Sequence, residues 1–256
     1  MKNTRIVRVA QAAVSMLLLA AAWQILSYVF PPFLFPPVPS IITRTVDILI
    51  TGSLLADVLL TAWRIFAGLL GAFIFGSILA LLIGQSKTVE NFVTPVLTFF
   101  QGIPALSWVV FAIIWFSGIE FRVLFIMVMT TLPAFTFQIL DAFRSMSKDL
   151  FEMTMSFRPS RMQLFRYLIV PTIVPGILTA WKVNLGNAAR VVVVAELVGA
   201  TGGVGYQLLR QQQLFDMAGA MAWTLQLVLF VLVIQQVITA IESWALRYRA
   251  VSERTM

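Results

Sequence analysis

Two side chains that many enzymes depend on are missing from this 256-residue chain, which contains no cysteine and no histidine. Without cysteine it has neither disulfides nor thiolate ligands and nucleophiles. Without histidine it lacks the commonest metal ligand and general base. Charged residues are also scarce, at 11%. These absences disfavour most familiar enzyme mechanisms and leave too little polar surface for a soluble domain.

The chain has instead a large share of apolar residues. Hydrophobic residues make up 60% of the chain, and the mean hydropathy is +0.93. The net charge of +7 could suit a nucleic-acid partner, but such a partner needs basic residues gathered on one water-facing surface. Here they are scattered between apolar runs, so we expect a membrane protein with lipid contacts and no nucleic-acid partner.

The apolar runs predict an all-α membrane protein with about six transmembrane helices in one domain. The predicted spans cover residues 9–29, 59–83, 92–116, 123–140, 171–197 and 218–240. The first run follows basic residues and resembles a secretory signal, but no small-residue cleavage site ends it. We interpret it as a retained helix, with a signal peptide as the alternative. Residues 41–57 are predicted to form an amphipathic segment on the outer surface.

The distribution of Lys and Arg predicts the orientation. Twelve of the eighteen lie in segments on the side of the N-terminus and three on the opposite side. Because cytoplasmic segments carry the excess of positive charge, we expect both termini to be cytoplasmic.

Residues 141–170 form a charged island between apolar runs, and this island would then face the cytoplasm. The pairs Asp149/Glu152 and Ser160/Gln163 have capping-box spacing, which predicts two short helices. Pro159 bends the chain between them.

The first of these helices carries an apolar face. Leu150, Met153 and Phe157 lie at positions i, i+3 and i+7. Such a face suits a groove on a partner protein. It equally suits the surface of the chain's own membrane, and the pattern alone favours neither interpretation.

The island resembles the cytoplasmic signature of permease subunits of bacterial ATP-binding-cassette importers, which reads Glu-Ala-Ala, three residues, Gly, then apolar residues to Leu-Pro. Residues 152–154 (Glu-Met-Thr) correspond to Glu-Ala-Ala, Arg158 to the glycine, and Val170-Pro171 to Leu-Pro. Both alanines and the glycine are replaced. Because arginine adopts a left-handed turn only with difficulty, we expect the bend to depend on Pro159.

Further motifs resemble the sulfonate, taurine, nitrate and bicarbonate branch of this family, and the likeness covers nearly the whole chain. They are Thr-Ala-Trp-Arg-Ile-Phe-Ala-Gly at 61–68, Ile-Pro-Ala-Leu-Ser-Trp at 103–108, Ile-Trp-Phe at 114–116, Ala-Glu-Leu at 195–197 and Gly-Val-Gly-Tyr at 203–206. Ala105 and Ser117 depart from that branch's pattern.

The resemblance implies a non-catalytic subunit of the bacterial inner membrane that binds no cofactor. Its partners would be two copies of an ATPase subunit that holds ATP and Mg²⁺, a second permease copy, and a periplasmic solute-binding protein. The expected ATPase-docking residues are Asp149, Leu150, Glu152, Met153, Phe157, Arg158, Pro159, Ser160 and Arg161.

Ionisable residues inside spans are costly and normally face a cavity, a partner or an interface. The candidates are Arg64, Lys182, Arg190 and Glu196. Arg190 and Glu196 could line the pathway or could pair with each other, while Arg64 and Lys182 could snorkel to a membrane surface.

A helix break is expected at Gly102 and Pro104, and it could form a gate, line the pathway or be only a packing kink. The predicted pathway candidates are Arg64, Gly102, Pro104, Arg190 and Glu196.

Two other functions remain open at this level. A stand-alone secondary transporter needs intramembrane acids for ion coupling, and Glu196 is the one acid recognised inside the predicted spans. An intramembrane enzyme needs a nucleophile and a base that converge. The substrate expected of the importer is a small anion such as a sulfonate, taurine or nitrate.

Overall fold

The computed structural model describes residues 2–50 and 53–245, which fold into helices joined by short turns, and no strand occurs in this part of the chain. The all-α prediction is therefore confirmed. The helices are α1 (Lys2–Val29), α2 (Val38–Ile50), α3 (Ser53–Gln85), α4 (Lys87–Gly102), α5 (Ala105–Trp115), α6 (Ile119–Arg144), α7 (Lys148–Ser156), α8 (Arg161–Leu164), a π-helical turn (Phe165–Ile169), α9 (Val170–Leu197), α10 (Val204–Gln213) and α11 (Met217–Ala245).

Four helical segments are long and apolar enough to cross a membrane, or five if α4 and α5 together make one span. The four are Ala56–Gln85, Ile119–Arg144, Arg161–Leu197 and Met217–Trp244. The predicted first span falls in α1, where the apolar stretch Ala13–Val29 is shorter than the other four. The count of six spans thus stays a prediction.

Helices α3, α6 and α9 pack together to form the core. Fully buried side chains at their contacts include Ile65, Phe135 and Leu185. Glycines let the backbones approach closely, because a Cβ at Gly68 would lie 2.5 Å from the Cβ of Met127. The small residues of α3 therefore serve bundle packing.

The predicted span 92–116 consists of two helices with the expected break between them, and its crossing of the membrane stays a prediction. It is split into α4 and α5, whose axes differ by 95°. Pro104 lies at the bend and has no N–H to continue the hydrogen-bond ladder. The amide of Ile103 instead donates to Phe100 O at 3.2 Å. A break was expected at this point, and the chain turns there by about a right angle.

The amphipathic segment predicted at 41–57 is also wrong in its bounds. Helix α2 begins at Val38, next to the proline cluster, and residues 53–57 already belong to α3. The side chain of Gln24 accepts a hydrogen bond from the Val38 amide at 2.9 Å, which caps the start of α2 against α1. Helix α2 also packs against α11, where Gln226 donates to Thr45 O at 3.3 Å.

The predicted loop 141–170 is largely helical. Helix α6 continues to Arg144, and from Arg161 the chain forms a continuous helical run to Leu197. Within this run the Val170 amide donates to Phe165 O, five residues earlier. This π-helical turn ends two residues before Pro171, which has no amide hydrogen to donate, and the wider turn accommodates the proline.

Candidate functional site

The segment from α7 to α8 forms one end of the bundle, and local capping explains its two short helices. Ser147 caps α7, because its hydroxyl accepts a hydrogen bond from the Leu150 amide. The predicted capping box at Asp149 is therefore wrong by two residues. The box at Ser160 is confirmed: Ser160 Oγ accepts from the Gln163 amide at 3.3 Å, and Gln163 Oε1 accepts from the Ser160 amide at 2.8 Å.

Arg158 turns the chain between the two helices in a left-handed conformation, with φ of 49°. The expectation that arginine would avoid this conformation is wrong. Its amide donates to Met155 O at 2.9 Å, which closes the end of α7. A left-handed non-glycine residue costs about 1–2 kcal/mol, so this turn is held by its surroundings. The geometry agrees with the correspondence of Arg158 to a glycine of the signature.

The apolar face of α7 is open. Leu150, Met153 and Phe157 are 42%, 55% and 80% exposed. The charged residues Asp149, Glu152 and Arg161 and the hydroxyl of Ser160 are exposed around them, and Pro159 is half-buried. The predicted docking residues thus lie in one short segment that is mostly exposed, and their docking role stays a prediction.

A second group of predicted residues meets at the opposite end of the bundle, in an ion cluster of Arg64, Glu120 and Glu196. Arg64 Nη1 donates to Glu196 Oε1 at 2.8 Å, and Arg64 Nε donates to Glu120 Oε2 at 3.0 Å. Arg64 and Glu196 are each 1% exposed, whereas the side chain of Glu120 is 56% exposed. Because the three residues come from α3, α6 and α9, the ion cluster joins the three core helices.

The loop after α9 closes over this ion cluster. Arg64 Nη1 also donates to Gly202 O at 2.8 Å, and the Gly205 amide donates to Glu196 Oε2 at 2.8 Å. Gly203 has φ of 108°, and a Cβ there would lie 2.4 Å from Glu196 Oε1. Only glycine fits both the backbone conformation and the space.

Two further side chains of α3 hold the same loop. Asp57 Oδ1 accepts a hydrogen bond from the Gly203 amide at 2.7 Å. Thr61 Oγ1 donates to Glu196 Oε1 at 2.9 Å and accepts from the Val204 amide at 2.9 Å. The side chains of Asp57, Thr61, Arg64 and Glu196 each have a hydrogen-bond partner, so the arrangement fixes the loop to the helices. It presents no unpaired nucleophile or base.

The sequence reasoning missed Asp57, Thr61 and Glu120. A signal existed for the first two, because residues 57, 61 and 64 share one face of a helix that carries an intramembrane arginine. No local pattern could have found Glu120, which lies 56 residues from Arg64 along the chain.

The alternatives considered for the intramembrane charges are corrected by these contacts. Glu196 pairs with Arg64 and not with Arg190, and Arg64 does not snorkel. Lys182 forms an ion pair with Glu242 of α11, a partner that the sequence reasoning also missed. Arg190 is exposed, and its Nε donates to Gly186 O at 3.1 Å.

The pathway roles of these residues stay predictions. Arg64 and Glu196 are buried within the ion cluster, and Gly102 and Pro104 lie at the α4–α5 bend. A Cβ on Gly102 would meet no atom within 4 Å, so the bend there is not closely packed. Within the described residues, no group of three or more acidic side chains is placed to hold a metal ion.

A comparison with protein families matches residues 72–245 to the model described as "Binding-protein-dependent transport system inner membrane component".

Several curated proteins resemble the chain. The formylaminopyrimidine transport permease protein ThiX of Halalkalibacterium halodurans is 28% identical, over 80% of this chain and 82% of that protein. The putative aliphatic sulfonates transport permease protein SsuC of Bacillus subtilis is also 28% identical, over 75% of this chain and 71% of that protein. The taurine transport system permease protein TauC of Escherichia coli is 27% identical, over 57% of this chain and 53% of that protein.

Solved structures share the fold. An inward-facing structure of the MetNI methionine ABC transporter contains a chain that superimposes with a TM-score of 0.58 at 17% identity, covering 77% of this chain and 98% of that chain. A chain of an amino acid ABC transporter gives a TM-score of 0.60 at 14% identity, covering 79% of this chain and 97% of that chain.

Proposed function

The chain belongs to the family of binding-protein-dependent transport system inner membrane components, and on that premise we propose that it is the membrane-spanning permease subunit of an ATP-driven importer. Two copies would form the translocation pathway, each held by one ATPase subunit. A periplasmic binding protein would deliver the solute. ATP hydrolysis would take place on the partner chain, and this chain would perform no chemistry.

The open apolar face of α7 carries this proposal. Leu150 and Met153 project from a nine-residue helix, and Phe157 directly follows its last residue. Such a helix is too short to be stable alone and is held by its caps. An aromatic side chain that is 80% exposed beside two aliphatic ones forms the kind of anchor that inserts into a partner's pocket. We infer that the ATPase supplies this pocket.

We further propose that both termini and α7 face the cytoplasm of the bacterial inner membrane. The excess of Lys and Arg on that side supports this orientation. The ion cluster then lies near the periplasmic surface, where the binding protein would dock.

The proposed solute is a small anion. Relatives named for taurine and aliphatic sulfonates support this class, as does the positive net charge of the chain. The alternative, a stand-alone secondary transporter, needs carboxylates free to exchange protons or ions. Glu120, Glu196 and Glu242 each form an ion pair, which argues against it.

Copurification with the ATPase encoded beside the permease tests the proposal. Phe157→Asn removes the most exposed anchor of α7. The matched control is Phe215→Asn, which removes an equally exposed phenylalanine, 79% against 80%, at the other end of the bundle. Phe215 has φ of 57°, a conformation that asparagine tolerates.

We expect Phe157→Asn to weaken ATPase binding by about 2 kcal/mol or more, roughly thirtyfold, as for a central interface aromatic. Phe215→Asn should bind like the wild type. Equal binding by both variants would show that α7 is not the docking element. Failure of the wild-type chain to copurify would overturn the importer itself and favour the self-sufficient transporter.

A further inference from the structure

A cleft of about 540 Å³ lies between α9 and α11, two helices that are long and apolar enough to cross a membrane. Its walls are apolar, and they include Val194, Leu227 and Val228. Arg190 is the one charged residue that lines it. The volume lies within the range of about 300–1,000 Å³ that is typical of small-molecule sites.

Arg190 has no carboxylate partner within the described part of the chain. Arg64 is neutralised by Glu120 and Glu196, and Lys182 by Glu242. Arg190 forms only the bond from Nε to Gly186 O, which leaves its terminal nitrogens available. An uncompensated guanidinium in a membrane helix is costly unless water or an anion meets it.

The direction of this side chain excludes snorkelling. Arg190 lies seven residues before Leu197, so the nearer end of α9 is about 10 Å away. Its bond to Gly186 shows that the guanidinium points the other way, toward the middle of the helical run. The run begins at Arg161, about 43 Å from Arg190 and beyond the reach of an arginine side chain. Lipid headgroups at either surface are therefore poor partners.

A polar group of α11 lies on the side toward which Arg190 points. A Cβ on Gly186 would be 3.8 Å from Gln235 Nε2, so the Gln235 amide lies against this turn of α9. Gln235 lines the same cleft. Among the hydrogen bonds of residues 2–50 and 53–245, Gln235 takes part through its backbone oxygen, which accepts from Thr239 Oγ1, and not through its side-chain amide. The cleft thus combines apolar walls with a free guanidinium and a free amide.

We infer that this cleft binds a small organic anion, with the anionic group at Arg190 and Gln235 and the apolar part between α9 and α11. The inference rests on the proposed function, because it assigns to the transported solute a contact site within this chain. A guanidinium and an amide donate to sulfonate or carboxylate oxygens, whereas a neutral solute would gain nothing from Arg190.

The absence of native cysteine allows a direct test. Val231 lines the cleft on α11, and Val231→Cys places a single thiol there. The permease–ATPase complex in lipid nanodiscs is treated with 2-sulfonatoethyl methanethiosulfonate, an anionic probe, or with its cationic trimethylammonioethyl analogue. The labelling rates are compared between three versions of this variant, which have arginine, lysine (Arg190→Lys) or glutamine (Arg190→Gln) at position 190. The matched control is Leu229→Cys, on α11 but outside the cleft lining.

We expect the ratio of anionic to cationic labelling at position 231 to fall roughly tenfold in Arg190→Gln, as for loss of a nearby charge in partly screened surroundings. Arg190→Lys should keep most of the ratio. Hexanesulfonate should slow labelling in the arginine background, and hexanol should not. At position 229 the ratio should not depend on residue 190.

Two results would overturn the inference. The first is no labelling of Val231→Cys by either probe, which would mean that acyl chains or a protein surface fill the cleft. The second is a ratio of anionic to cationic labelling that does not change in Arg190→Gln. Either result obtained while the complex still copurifies leaves the importer proposal intact. Loss of copurification in the wild type counts against the importer and not against the cleft, whose labelling can then be measured on the permease alone.

Discussion

Replacement of Arg64 by methionine should destabilise the protein far more than loss of its exposed partner Glu120. Methionine keeps an unbranched, flexible side chain and removes the charge. The variant leaves the carboxyl group of Glu196, a residue that is 1% exposed, without its cation. The comparison variant Glu120→Gln removes a carboxylate whose side chain is 56% exposed.

The magnitudes follow from burial. Removal of one partner from a buried ion pair typically costs about 3–5 kcal/mol, because an uncompensated charge stays in a poorly solvated site. Thr61 and the Gly205 amide still donate to Glu196, which favours the lower part of that range. A pair that is open to water contributes about 1 kcal/mol or less. For a chain of this size, about 2–4 °C of melting temperature corresponds to 1 kcal/mol.

Thermal unfolding in detergent, followed by the fluorescence of the seven tryptophans, measures these losses. We expect a decrease of about 6–16 °C for Arg64→Met and about 4 °C or less for Glu120→Gln. The double variant Arg64→Met/Glu196→Gln should lose roughly 2 kcal/mol less than the sum of its single changes, because it removes both charges together. Equal decreases for the first two variants, or strict additivity in the double variant, would refute the reasoning.

Two further predictions concern the backbone. Gly203→Ala should lower the melting temperature, because the new Cβ would collide with Glu196 and because φ is 108°. The control Gly102→Ala should leave the melting temperature nearly unchanged, since a Cβ there meets no atom within 4 Å. Equal decreases would contradict the steric argument. Arg158→Gly should stabilise the α7–α8 turn by up to about 1 kcal/mol, since φ is 49°. Arg161→Gly, in a helical turn, should be destabilising by a similar amount, and hydrogen exchange at the turn distinguishes the two variants.

Much of the fold could be predicted from the sequence, because it depends on interactions between residues that are close together along the chain. The runs at 59–83, 123–140, 171–197 and 218–240 each lie within an observed helix, because a long apolar run must hydrogen-bond its own backbone in lipid. The capping box at Ser160 was readable for a related reason, since its partners are three residues apart. The family resemblance rests on motifs of the same local kind.

Other features were readable only in part. Proline at position 104 predicted a break, but the 95° angle depends on how α4 and α5 each pack against α6. Arg158 was expected to avoid a left-handed turn, and the caps of α7 and α8 on either side impose one. Propensity describes an isolated residue, whereas the neighbouring helices fix the direction in which the chain must continue.

The sequence by itself thus determined that the chain is helical, apolar enough for a membrane, and built with a charged island that carries an exposed apolar face. The tertiary structure decided which charges meet. Glu196 pairs with Arg64, 132 residues away, and not with Arg190 on its own helix, because the packing of α3 against α9 places the first two together and buries them. The same packing leaves Arg190 as the unpaired cation of the cleft, since a local pattern carries no information about which helix faces which.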